Sequence, residues 1–400
     1  MGSFENNAQI IRSWGLQGSF SSGPVVQDKL VPTKFTRIRT PFVQSWREES
    51  LASNLDWGSQ SFSYYFPESL RVISAMYLKI NLPAIQTSVY KDNPGVYAIE
   101  TIRFLSAGQE AYHVDVKQYL RDYLESLNDE HYAPFTETYL GNTGGAASGA
   151  ARVLLIPILL PNSAYMNRSG SNTRGRGVWP CLSGQNRLEV QITMAANTGC
   201  VADAQVQPAS ISGQCSMMFH QVDMSAEDLL KYSDARGSYS IITRRFTEIT
   251  TGYTEASANA RQTLNTNQPI GTVTELIVIA QPTGTAEAHR QIEQNVRPTH
   301  ISIISDSVTQ KSLNTLEKVN MELWTNGFIG NDAVNVPGRL CFAAHASESE
   351  SMYSGGYNMQ LSSQINVEVE FAENVDFRVF AVQLQRVSIS PLGLLTSSLD

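Results

Sequence analysis

The feature that most restricts this chain is a strand that occurs twice. From Arg187 to Asn197, Leu188, Val190, Ile192 and Met194 alternate with Glu189, Gln191 and Thr193. From Gln364 to Asn374, Ile365, Val367, Val369 and Phe371 alternate with Asn366, Glu368 and Glu370. A period of two is that of a β-strand with one buried and one wet face. Asn197 and Asn374 close the two stretches 177 residues apart, and in a chain of 400 residues so long an offset points to two copies of one domain.

The surrounding segments recur in the same order. In the first half a strand from Tyr97 to Leu105 precedes a helix between Val114 and Asn128. Val116, Leu120, Tyr123, Leu124 and Leu127 share one face of that helix, Lys117, Arg121, Asp122 and Glu125 lie elsewhere on the wheel, and Asp115 is placed to cap it. A glycine-rich loop from Gly141 to Ala150, an apolar strand from Val153 to Leu160 interrupted by Pro157, a polar loop from Asn162 to Pro180 and the repeated strand follow. In the second half the counterparts are a strand from Thr299 to Ile304 and a helix with Leu313, Leu316, Val319 and Leu323 on one face, ended by Gly327 and Gly330. A strand from Arg339 to Ala344, a loop through Tyr353 and the second repeated strand complete the series. Further strands are expected at 61–66, 70–82, 212–222, 240–250, 271–280 and 376–388. Ser225 and Asp228 start a short capped helix before a linker at 234–238.

Composition narrows the function. With 42% hydrophobic and 16% charged residues the chain folds, and a formal net charge of −8 gives no electrostatic reason to coat nucleic acid, so direct genome binding is not expected. Cys181, Cys200, Cys215 and Cys341 have no metal-type spacing and are expected to be buried thiols. No apolar run approaches the roughly 20 residues that cross a bilayer. No secretion signal is expected, and Asn6 stands where a myristoylation pattern wants Ser or Thr. Residues 1–35 read as an arm, in which Ile10, Ile11 and Trp14 either share one face of a short docking helix or belong to a loose terminus.

Short strands with long connections suit two packed sheets better than a meander barrel. The expected fold class is all-β, two tandem eight-stranded jelly rolls, each with a short helix, plus an extended N-terminal arm. The expected division is an arm at 1–35, a first roll at 36–222, a linker with a short helix at 223–238, a second roll at 239–390 and a tail at 391–400.

On these residues the chain resembles the double jelly-roll major capsid proteins of tailless icosahedral viruses, the lineage of phage PRD1 and adenovirus hexon. The likeness is greatest where the Val153 to Leu160 strand, the loop to Pro180 and the strand from Gln185 to Asn197 look like the corresponding parts of the PRD1-type coat protein. The resemblance implies a structural protein, made in the host cytoplasm and located in the virion. It would form pseudo-hexameric homotrimers and contact neighbouring capsomers, penton and minor capsid proteins. It also implies outer towers or trimer contacts at the loops Gly141 to Ala150 and Asn162 to Pro180, and an inner arm lying toward an internal membrane.

Enzymatic chemistry finds no support. His113, His131, His220, His289, His300 and His345 are dispersed, without the clustered ligands that a tandem-cupin metal enzyme needs, and His300 and His345 fall in strands. No nucleophile elbow, Walker loop or dinucleotide fingerprint occurs. Glu368 and Glu370 read as a solvated strand edge rather than a glycosidase pair. Arg168, Arg174 and Arg176 form one basic cluster, read as a solvated loop before an acidic-partner or lipid site, and Asn167 to Ser169 matches a glycosylation acceptor only by a common triplet. No catalytic, cofactor-binding or metal residue is expected, and no cofactor. The alternative function is a two-domain carbohydrate-binding protein, which would want aromatic residues on loops; Trp46, Trp57 and Trp324 lie instead in or beside strands and the second helix, where core use is expected.

Overall fold

The computed structural model describes residues 43–399 apart from 52–54, 59–60, 67–71, 107, 128, 144–148, 161–178, 181, 184–185, 203–209, 212, 214, 224–238, 267–270, 285–294, 327, 329–335, 345–353, 360–361, 363 and 390–394. The arm at 1–35, the linker helix, Cys181, the three loop arginines, His289 and His345 lie outside the described residues.

Among the described residues four antiparallel sheets, to whose edges shorter strands add, are built from sixteen principal strands, eight in each half. In the first half these are β1 (Val43–Ser50), β2 (Ser61–Tyr65), β3 (Val72–Leu82), β4 (Ile99–Ser106), β5 (Gln109–Asp115), β6 (Arg152–Pro157), β7 (Asn186–Met194) and β8 (Cys215–Asp223). They pair in the orders β1-β8-β3-β6 and β2-β7-β4-β5. The second half supplies β9 (Tyr239–Glu248), β10 (Gln262–Thr266), β11 (Thr272–Pro282), β12 (His300–Ser305), β13 (Val308–Leu313), β14 (Gly338–Cys341), β15 (Ile365–Glu370) and β16 (Val375–Ile389). Their orders are β9-β16-β11-β14 and β10-β15-β12-β13, so each strand finds its counterpart eight strands later. Both halves are jelly rolls, and the twin strands β7 and β15 occupy the same place, between β2 and β4 and between β10 and β12.

The alternation that suggested the duplication is the one that packs the cores. Val190, Ile192 and Met194 are buried in the first roll, and Ile365, Val367, Val369 and Phe371 in the second. A helix follows β5 and β13 in turn, at Val116–Ser126 and Leu316–Thr325, each opened by a side-chain cap in which Asp115 accepts from the Gln118 amide and Thr315 from the Lys318 amide.

Several expectations need correction. Val114 and Leu313 belong to strands, not helices, because β5 and β13 are edge strands whose polar residues hide the alternation. Leu316 is exposed, and only Val319 and Leu323 seat the second helix. Between the first helix and the glycine-rich loop, where no element was expected, a helix at Asp129–Phe135 contains Pro134 and runs into one π turn at Thr136–Leu140. Glu368 and Glu370 lie on a central strand, not an edge, with Arg261 at 3.6 and 3.5 Å. Within the 391–400 tail, Leu395–Leu399 pairs along β16. Trp57 is buried, but Trp46 and Trp324 are 58% and 69% exposed.

At the end of β9, Glu248 takes a two-pronged contact from Arg378 of β16, at 2.8 and 2.5 Å, with the Gly252 amide and Thr250 hydroxyl at 3.0 and 3.1 Å. Partial burial pushes its carboxyl up, but these donors outweigh burial and hold it below its ordinary 4.5. The folded-state value is thus the depressed one, so the stabilisation is full above about 4.5 and lost as pH falls through the folded value. Glu248→Gln should therefore melt below the parent at neutral pH, the gap narrowing as melting is followed downward from pH 4.5; a gap independent of pH would contradict this.

Candidate functional site: the contact between the two rolls

The sheet β9-β16-β11-β14 is covered on both faces. Val273, Leu276, Val278 and Ala280 of β11 point into the second roll's own core, while Glu275, Ile277 and Ile279 point outward, where Ile277, Ile279, Phe380 and Val382 make a small apolar cluster with Phe246. Burial on both faces requires a continuous apolar run, which Leu276 to Ala280 supplies. What covers the outer face is the first roll's helix.

That helix seats Val116, Leu120 and Leu124 on its own roll and turns Arg121, Asp122 and Glu125 toward the second. They meet Arg244 of β9, Glu275 of β11 and Arg339 of β14, and all six side chains are buried. Arg339 reaches Glu275 at 3.1 Å and Asp122 at 2.9 Å, and also bonds Glu125. Arg244 bonds Asp122 and reaches Glu275 at 3.4 Å. Arg121 reaches Glu125, one turn on, at 2.8 Å and donates to the Asn295 side chain at 2.6 Å. Three cations thus face three anions without net charge. The Tyr119 hydroxyl donates to the Arg244 carbonyl, and its ring stands edge-on to Phe246 at 4.5 Å.

Burial by itself would pull the Arg339 pKa down; Glu275, Glu125 and Asp122 outweigh it and hold the guanidinium above its ordinary value. Burial pushes the Tyr119 hydroxyl well up, which keeps it a donor. β14 begins at glycine because it packs tightly on its own roll there: a Cβ on Gly338 would stand 2.4 Å from the Pro298 ring. The Arg339 guanidinium also lies over the Phe328 ring at 4.2 Å.

Chemically this arrangement fastens one domain to another. The cavity among Gln118, Arg121, Glu125 and Arg339 measures about 10 Å³, the size of one water. Among the described residues no group of three or more His, Cys, Asp or Glu is placed to hold a metal. His300 bonds Ser302 at 3.1 Å on the face of β12 turned away from the core, near Glu368, while His220 lies half-buried on the outer face of the first roll, against Trp46. None of the six charged residues was singled out by sequence, because a helical wheel assigns Arg121, Asp122 and Glu125 to the wet side.

No family model and no curated protein matches the chain in sequence. Solved structures match it in fold. PBCV-1 VP54, fitted into a reconstruction of the virophage Sputnik, is 11% identical, covers 92% of this chain and 98% of its own, and superposes with a TM-score of 0.63. The chain has the double jelly-roll fold. The Faustovirus major capsid protein shares this double jelly roll at 8% identity over 92% of this chain and 93% of its own, TM-score 0.62. The mavirus major capsid protein follows at 11% identity, 92% of each chain and TM-score 0.54. The double jelly roll is thus matched over nearly the full length of each, both rolls together.

Proposed function

We propose that the chain is the major capsid protein of an icosahedral virus, a structural protein without catalytic function whose homotrimer is a nearly six-sided block. The observation that carries this reading is the pair of equivalent rolls fixed by a buried contact. Two similar lobes per chain turn a threefold trimer into a pseudo-hexagonal tile, and the tile serves only if the lobes keep one relative orientation. Six buried charges suit that task, since such networks contribute little net stability but tolerate few alternative geometries. The similarity to the capsid proteins of PBCV-1, Faustovirus and mavirus supports the same reading.

On this reading the partners are copies of the same trimer together with penton and minor capsid proteins, the arm at 1–35 lies toward an internal membrane, and the chain resides in the virion after synthesis in the host cytoplasm. The carbohydrate-binding alternative has less support, because exposed Trp46 and Trp324 stand on a sheet face and a helix rather than on loops. Native mass spectrometry of the purified protein should give a species of three 44.1 kDa chains. A stable monomer at high concentration would contradict the proposal.

A further inference from the structure

The contact inside the chain joins two different surfaces, the helix of the first roll and the outer sheet face of the second. A contact of that heterologous kind leaves over one copy of each surface: the second roll's helix and the first roll's outer sheet face. Both leftover surfaces carry exposed apolar groups. Aligning the two helices on their core-facing pairs, Leu120 with Leu124 and Val319 with Leu323, places Met321 and Trp324 where Asp122 and Glu125 stand. Met321 is 66% exposed, beside Trp324 one turn on. On the other surface, Trp46 of β1 projects from the outer face of β1-β8-β3-β6, its ring 4.8 Å from His220 and 5.9 Å from Tyr77, with half-buried Met218 beside them. Trp46 is on the strand equivalent to the one carrying Phe246, the ring that receives the first roll's helix.

We infer that the Met321 and Trp324 face of one copy docks on the Trp46, Met218 and His220 face of the next. This rests on the trimeric reading above and assigns its subunit interface. The occupant is a second copy of this chain because the chain already contains the matching contact, helix on sheet, between its own halves. Repeated around a closed ring, contacts alternate: buried charge within each chain, apolar between chains. The alternation sets the phase of the ring. Met321 and Trp324 cannot neutralise Arg244 and Arg339, so the second helix cannot replace the first and leave buried charges unpaired.

Two experiments test the assignment. The Met321→Ser, Trp324→Ser double variant, and separately Trp46→Ala, should associate about 30-fold more weakly than the parent or worse, as expected for central tryptophan anchors. Because these side chains are exposed, the circular dichroism of the subunit should not change. Variants that stay trimeric at the parent's concentrations overturn the assignment while leaving the trimer intact, whereas a parent that never trimerises overturns the capsid reading itself. Glu48→Cys and Glu317→Cys, exposed neighbours of Trp46 and Met321, give the second readout. Mixed and treated with a short bis-maleimide, the two singly substituted proteins should yield a heterologous cross-linked dimer; a product no more abundant than that from either protein alone overturns the assignment.

Discussion

Arg339→Met should lower the melting temperature by roughly 10 °C at neutral pH, the equivalent of about 3–5 kcal/mol for removing one member of a buried ion network. The size follows from geometry. Arg339 bonds three carboxylates from both rolls, and its loss leaves Asp122, Glu125 and Glu275 sharing Arg244 and Arg121 without water to replace it. Methionine fills similar space, so the loss reports charge rather than volume. Arg339→Lys should recover only part of the difference, since a single ammonium cannot reproduce a planar fork that serves three acceptors. Adding Glu125→Gln to Arg339→Met should restore part of it by removing one unmatched anion. Scanning calorimetry of the four proteins decides the matter; equal melting temperatures would mean that the network does not fasten the rolls.

The second large effect is expected from Phe371→Ala. Phe371 directly follows β15, is fully buried and lies 5.4 Å from the Phe377 ring, so truncation should cost about 3–5 kcal/mol in the second roll. The two rolls have separate cores, joined chiefly through the helix contact and through Val387 of β16, which packs with the first core. Hydrogen exchange should therefore quicken in β10, β12 and β15 while β2, β4 and β7 keep most of their protection. Equal loss in both rolls would show one cooperative core in place of two.

What the sequence disclosed follows from which faces meet water. β7 and β15 each have one wet face, so their alternation is unbroken and the duplication is legible. Some edge strands were not. Gln262–Thr266, Gln109–Asp115 and Val308–Leu313 carry no clear alternation of apolar and polar residues, and Val308–Leu313 exposes most of its side chains, so the last two strands were absorbed in part into the helices that follow. The contact between the rolls was hidden for a different reason. Arg121, Asp122 and Glu125 occupy the polar arc of an amphipathic helix, which normally faces solvent, and nothing in a wheel distinguishes water from another domain's arginines. The available signal lay elsewhere, in the unbroken apolar run from Leu276 to Ala280 beside Glu275, which marks a strand buried on both faces. Trp46 and Trp324 were misjudged because aromatic residues in regular elements usually belong to cores, and only the three-dimensional arrangement places both on outer faces.

The most direct test is electron microscopy of the purified protein in projection. Two equivalent rolls per chain in a closed head-to-tail trimer predict a nearly hexagonal outline with six similar lobes. Two-lobed particles of a single chain, or a three-lobed ring without the sixfold appearance, would contradict it.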